Sequence, residues 1–350
     1  MNHQEAILLL SSLISHSSLS RQEEKTADGI EAFLVKHKFD PIRRGNNVIA
    51  YFDGAGPDQP YLLLCSHHDT VKPNSQYTRD PFSATQEDGK LFGLGSNDAG
   101  GALVALIAAF ITLAEKKAKI NIMLAAVAEE EISGSGGVIS ILDEMPEIEL
   151  AIVGEPTKMQ MALAEKGLVV IDAIATGIPG HAAHSNTVNP IIIAAEDILT
   201  INQYQFDRIS PYLGKTKASV TVIDAGELHN QVPASCHFVI DLRVNELYTL
   251  QEVVDILQKQ VQSKLTPRSL RLKPSGISGD HKIIEIAKNL SIPTFGSSTL
   301  SDQALLPFPS IKIGPGDSLR SHTADEYIYI KEIEEGIKTY LEIIEAYLKT

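Results

Sequence analysis

The sequence predicts an α/β protein, in which a mostly parallel sheet flanked by helices carries a smaller inserted α+β domain. Three observations support this. The N-terminal half alternates continuous apolar runs with helical patterns, as strands buried on both faces require. From about Gly167 the strands alternate apolar and polar residues instead, which marks half-exposed sheet. The chain has 350 residues, more than the roughly 250–300 at which a single core stops growing. The expected segments are 1–165 and 277–350 for the larger domain and 166–276 for the insertion.

The first 25 residues, MNHQEAILLLSSLISHSSLSRQEEK, place apolar positions at helical spacing with no basic stretch before them, which predicts a helix and not a secretory leader. NNVIAYF and YLLLCSH predict strands, and GGALVALIAAFITLAEKK predicts a helix opened by glycine. INIMLAAVA reads as a buried strand, GGVISILDEM as a helix and LAIVGEP as a further strand. Within the insertion, GLVVIDAIATG, KASVTVIDAG and CHFVIDLRV alternate as strands whose open face is solvated or forms an interface. PIIIAAEDILTINQY and TLQEVVDILQKQVQSKL read as its helices. RLKPSGISGD, rich in proline and glycine, is the expected return linker. IKIGPGD then resumes the first pattern, and an amphipathic helix runs from Tyr329 to the C-terminus.

With 43% hydrophobic and 21% charged residues, the composition is that of an ordinary globular protein. No apolar run reads as reaching the roughly 18 residues of a membrane span, because the longest breaks at Glu115. A net charge of -14 disfavours nucleic acid or an anionic membrane as partner. The two cysteines, Cys65 and Cys236, form no disulfide framework, which predicts a reducing, cytoplasmic setting. Cys65 reads as a packed thiol inside a buried strand.

Five apolar strands end in metal-competent residues. LLLCSHHD supplies His67, His68 and Asp69; LFGLGSND supplies Asp98; AAVAEEE supplies Glu129, Glu130 and Glu131; AIVGEPT supplies Glu155; IKIGPGDSLRSH leads to His322. Singly, each is an ordinary loop residue or, for Asp98, a helix cap. Together they point to one rim, since ligand sites of such sheets lie beyond the carboxyl ends of the strands. Imidazoles and carboxylates without thiolates suit zinc, cobalt or manganese. The surplus of carboxylates suits two ions sharing a bridging aspartate. Residues i and i+2 of an extended chain share a face, so Asp69 can orient His67 while His68 points away. Neighbours alternate similarly in Glu129–Glu131, so at most one or two face the ions, one as a ligand and an adjacent one as a general base.

The ordered set SHHDTV, GLGSNDAGG, AEEEISG, VGEPT, GIPGHAAHS and GPGDSLRSHTADEYI resembles the dinuclear zinc aminoacylase and carboxypeptidase family, over nearly the whole chain. That family includes acetylornithine deacetylase, acetyl-lysine deacetylase and succinyl-diaminopimelate desuccinylase. The resemblance implies a zinc-exopeptidase-like catalytic domain with an inserted lid or dimerisation domain, and two divalent ions, zinc or cobalt. Asp98 would bridge them, with His67 and Glu155 completing one site and Glu131 and His322 the other. Glu130 would be the base and Asp69 the partner of His67. His181, in PGHAAH, would reach the substrate's acyl oxygen, and Asn230 and Arg243 its carboxylate, with Ser301 or Asp302 near the pocket. It also implies a cis peptide at Asp98–Ala99. Gly100 departs from the lysine common in relatives, and Glu129 from their aspartate.

The expected activity is deacylation of an N-acyl amino acid, foremost N-acetyl- or N-succinyl-L-ornithine in arginine biosynthesis, by a homodimer joined through the insertion. Succinyl-diaminopimelate, N-acetyl-lysine, N-acetylcitrulline and dipeptides are the alternative substrates. The alternative of another class is a metal-binding relative without catalysis.

Overall fold

Apolar strands need cover on both faces, and helices between them provide it. A computed structural model describes residues 1–349. The chain divides into two compact units. The first comprises Met1–Leu163, Ile277–Phe295 and the residues from Ser301 onward; the second comprises Ala164–Gly276 and Gly296–Leu300.

The sheet of the first unit is parallel at its centre. Tyr61–His67 runs parallel to Asn121–Val127 on one side and to Ile148–Val153 on the other, and Ser310–Lys312 extends the parallel set. Its margins are antiparallel: Asn47–Asp53 on Asn121–Val127, and Met161–Glu165 on Ser310–Lys312. Val48, Ile49 and Ala50 are buried like the central strands, so apolar pattern alone does not separate the two orientations.

Gly101–Glu115 is the core helix, buried from Gly101 through Ile111, with His3–Ile14 and Ile330–Tyr347 packed beside it. The turn Ser96–Gly100 joins it into a 20-residue stretch of mean hydropathy 1.6, long and apolar enough to cross a membrane. The run is therefore longer than its break at Glu115 suggests when counted from Gly101. Protein covers 83% of its most apolar window, as befits a core helix.

Three further elements differ from the sequence pattern. The N-terminal helix, opened by a capping box of Asn2 and Glu5, stops at Ile14, and a second helix, Glu24–Lys36, follows. The serine-rich break is where hydroxyls bond the backbone instead, Ser15 Oγ donating to Ser12 O at 2.6 Å. Val138–Glu144 is a 3-10 helix and not an α-helix, confined between Gly137 and Pro146. In the second unit the helix Leu250–Gln258 ends before QSKL, and Lys264–Pro267 becomes a fourth strand. Asp197 enforces that turn by accepting N–H groups of Gln262 and Ser263 at 3.0 and 2.7 Å.

The second unit is an antiparallel sheet in the order Lys217–Asp224, Ser235–Val244, Gly167–Thr176 and Lys264–Pro267. Pro190–Gln203 and Leu250–Gln258 pack against it. The expected return linker includes Ser275–Gly276, which pairs with Ala164 and Glu165.

Gly154 shows how tightly helix and sheet meet beside the rim. A Cβ there would lie 2.7 Å from Leu106 Cδ1 and 3.2 Å from both Ala102 Cβ and Ser66 Cβ. Gly154→Ala is expected to cost about 1–3 kcal/mol by overpacking. Urea unfolding of the metal-free protein measures this, and an unchanged midpoint would show that the contact yields freely.

Candidate active site: two histidines among carboxylates

The strand ends of the first unit converge. Tyr61–His67 ends in His67, Asn121–Val127 leads to Glu130 and Glu131, and Ile148–Val153 leads to Glu155. Asp98 comes from the turn Ser96–Gly100, and His322 follows the 3-10 turn Ser318–Arg320. His67 Nε2 lies 3.4 Å from Asp98 Oδ1, 3.7 Å from Glu155 Oε1 and 3.9 Å from Glu130 Oε2. His322 Nε2 lies 3.0 Å from Glu131 Oε2 and 3.6 Å from Asp98 Oδ2. Each oxygen of Asp98 thus faces a different imidazole.

Crowded anions set the electrostatics. Burial would depress His67, but hydrogen bonds to Asp69 and Asp98 and the charges of Glu130 and Glu155 outweigh it and raise the imidazole well above its usual range. Burial likewise opposes ionisation of Asp98, yet contact with His67 holds it below the usual carboxylate range. His322 rises to about 9, first through its hydrogen bond to Glu131 and against burial. Glu130 is pushed well above the usual range by burial; His67 opposes this, while Glu155, Asp302 and Glu131 add to it. Among the described residues, imidazoles are the only cationic side chains within 4.0 Å of Asp98, Glu130 and Glu131. Such a set is neutralised by protons or by divalent cations.

Donor atoms of His67, Asp98 and Glu131 lie within 4.8 Å of one another, and so do those of His67, Glu130 and Glu155. Imidazole nitrogen and carboxylate oxygen are the donors of zinc, cobalt and manganese sites, so the residues fit such ions.

Backbone geometry separates the three glutamates. Glu129 adopts a left-handed φ of 55°, and its carboxylate turns to accept the N–H of Gly136 at 3.2 Å. Glu130 and Glu131 are left to meet the histidines. Asp69 has a wider task than facing His67. His67 Nδ1 lies 3.0 Å from the Asp69 carbonyl and 3.5 Å from its carboxylate. That carboxylate accepts N–H groups of Glu130 and Glu131, at 3.0 and 3.2 Å, and the Ser20 hydroxyl at 2.7 Å. His68 points elsewhere, to Thr26 Oγ1 and Asn46 O, both at 2.9 Å, and burial brings it down to about 4.

The Asp98–Ala99 peptide is cis. At Gly100 a Cβ would lie 2.5 Å from Gly95 O and 2.6 Å from Leu10 Cδ1, so this backbone leaves no room for the lysine of relatives.

Ser301 belongs to the first unit but is 4% exposed, and its hydroxyl caps the 3-10 turn Asp302–Leu305 by accepting from Gln303 N. The other candidates lie in the second unit. His181 and Asn230 meet there, with His181 paired to Gln231 and the Ala182 N–H donating to Asn230 O at 2.9 Å. Arg243 grips Asp241 through Nε and Nη2, at 2.8 and 3.0 Å.

Sequence reasoning missed Ser20, Glu23 and Glu326. Glu23 accepts the N–H of Glu129 at 3.3 Å and the Asn46 amide at 2.9 Å. Glu326 lies within SHTADEYI, four residues after His322, and burial followed by the Asp98 charge pushes it up to about 8. All three act on distant partners, for which a sequence carries no spacing signal.

The profile of Peptidase family M20/M25/M40 matches residues 63–346. The chain belongs to this family. It is a metal-dependent hydrolase of amide bonds. The acetylornithine deacetylase of Proteus mirabilis is 27% identical, covering 97% of this chain and 96% of its own. A probable carboxypeptidase of Aspergillus terreus is also 27% identical, covering 95% and 84%. Among solved M20-like folds, a Staphylococcus aureus tripeptidase superposes with a TM-score of 0.81 at 20% identity over 100% of both chains. A dinuclear metal-binding M20 peptidase of Bacillus subtilis gives 0.75 at 16% identity over 99% of both.

Within this M20 site the Asp69 carboxylate is the cheapest group to test. Asp69→Asn places an amide donor among three hydrogens and is expected to lower kcat/KM about 10–100-fold. Steady-state rates at saturating metal check this, and wild-type rates would reduce Asp69 to a spectator.

Proposed function

We propose that the protein deacylates N-acyl amino acids, with N-acetyl- or N-succinyl-L-ornithine as the substrate and a place in cytoplasmic arginine biosynthesis. The observation that carries the reading is Asp98, whose two oxygens face His67 and His322 separately while Glu130 stands 3.9 Å from His67. A single imidazole nitrogen has one lone pair and cannot serve two ions, whereas a carboxylate can. His67 and Glu155 would therefore hold one divalent ion, zinc or cobalt, Glu131 and His322 the other, and Asp98 both. Ions there supply Lewis acidity, lowering the pKa of water and polarising the acyl oxygen.

Glu130 does the proton work. Beside cations it is ionised, accepts a proton from the attacking water and returns it to the leaving amine nitrogen. His181 is assigned to the developing negative charge on the acyl oxygen, on the family resemblance. Asn230 and Arg243 are assigned to the substrate carboxylate in the same way, with Ser301 near the pocket. Asp241 competes for Arg243, so a substrate must displace or share that pair.

The named deacetylases among the relatives support the ornithine reading, and the carboxypeptidases at equal identity make peptides the rival. Amine release by zinc- or cobalt-loaded protein from N-acetylornithine, N-succinylornithine, N-acetylcitrulline, N-acetyl-lysine, succinyl-diaminopimelate and dipeptides decides between them. Preference for an ornithine derivative is expected; preference for a dipeptide overturns it. Glu130→Gln is expected to cut kcat about 10²–10⁴-fold at unchanged metal content. Retained turnover would remove Glu130 from the mechanism.

A homodimer through the second unit completes the proposal. Lys217–Asp224 is an edge strand with Val222 and Ile223 exposed, and Ile191, Ile192 and Leu199 of Pro190–Gln203 are exposed as well. Unpaired edges and apolar side chains of this kind favour pairing between copies. Sedimentation at micromolar concentration is expected to give a dimer, and a monomer contradicts it.

A further inference from the structure

Three backbone N–H groups around Asp98 converge on one buried carboxylate. Glu326 is 1% exposed; its Oε1 accepts from Asn97 N and Asp98 N, both at 2.9 Å, and its Oε2 from Gly95 N at 3.0 Å. Its own carbonyl accepts the Gly93 N–H at 2.9 Å, so one residue grips both ends of the turn. Gly95 gives the turn its shape with a φ of +75°, where a Cβ would lie 2.6 Å from Thr70 Cγ2. Asn97 ties the same turn to the segment leading to His322, exchanging bonds with Asp317 N and O at 2.9 and 3.1 Å.

We propose that Glu326 is a positioning residue: by clamping the Gly95–Asp98 backbone it fixes where the two Asp98 oxygens stand relative to His67 and His322. The inference rests on the reading that Asp98 holds divalent ions. A donor N–H turned away from water is costly to leave without a partner, so the three N–H groups deprived of this acceptor would relax toward other partners. Asp98 would then shift with its peptide, although no atom of Glu326 needs to touch an ion. The clamp also joins segments 228 residues apart, so Asp98 and His322 are held on one frame.

The test is metal affinity, read by competition with a chromophoric chelator on dialysed protein titrated with Zn²⁺ or Co²⁺. Glu326→Gln keeps the size of the side chain but sets an amide donor against an N–H. It is expected to weaken ion binding about 10–100-fold. Asp197→Asn is the control, since Asp197 is a buried carboxylate that caps backbone N–H groups in the second unit. It should lower the urea midpoint and leave metal affinity unchanged. Wild-type affinity in Glu326→Gln overturns the proposal, as does an equal loss in Asp197→Asn. Should Glu326→Gln fail to fold, Glu326→Asp, one methylene shorter, is read against the same control. A wild-type protein that takes up one ion overturns the two-ion reading, while the Glu326 comparison is still read on that ion.

Discussion

Everything at this rim depends on holding like charges together. Asp98, Glu130, Glu131 and Glu155 crowd around two imidazoles, in surroundings where Coulomb forces are stronger than in water. Free side chains would spread apart. The fold prevents this by fixing each through its main chain: Asp98 by the N–H groups given to Glu326, Glu130 and Glu131 by those given to Asp69. Glu155 follows Gly154, whose N–H donates to Cys65 O at 2.7 Å and whose missing Cβ lets the strand lie against the core helix. Close packing of that helix is thus part of the site's electrostatics, because it denies the carboxylates room to relax.

The anchors are themselves acids, which has a consequence for selectivity. Asp69, Glu23 and Glu326 are buried carboxylates, each accepting N–H groups from a turn beside the site. A neutral acceptor could make similar bonds. Asp69, which against burial is held below the usual carboxylate range by contact with His67, instead adds negative potential behind the donor atoms, and that favours doubly charged over singly charged cations. At Asp69 positioning and charge are supplied by one group, so a substitution there disturbs both.

This layering explains what the sequence disclosed. His67 and Glu155 were legible because the strands Tyr61–His67 and Ile148–Val153 switch there from apolar to polar residues, and Glu131 follows Asn121–Val127 closely. Asp98, in the turn Ser96–Gly100, and His322, beyond Ser318–Arg320, stand at no strand end and were legible only as residue types within the family-like motifs. Which of Glu129–Glu131 face the histidines was not legible, since three identical residues carry no pattern; a left-handed backbone at Glu129 turns its carboxylate to the Gly136 N–H and leaves the other two there. Ser20, Glu23 and Glu326 escaped because they resemble loop and surface residues until distant turns fold against them. The same holds for the fold. The parallel centre was readable from continuous apolar runs, but the antiparallel margins are covered equally well and look the same. The strand Lys264–Pro267 was hidden because a tertiary bond from Asp197 ends a helix that local propensity would continue.

The second unit carries a constraint of its own on the proposed chemistry. His181 and Asn230 stand on facing segments, joined by the Gly180–Val232 and His181–Gln231 pairs and by the bond from Ala182 N to Asn230 O. They are therefore held on one local frame. Arg243 lies on the strand Ser235–Val244, held flat against Asp241 by two charge-assisted bonds. A carboxylate arriving there replaces one anion by another, so the net gain is small unless both share the guanidinium's five donors. On the proposed assignment, the gain at Arg243 thus turns on whether Asp241 yields or shares its hydrogen bonds.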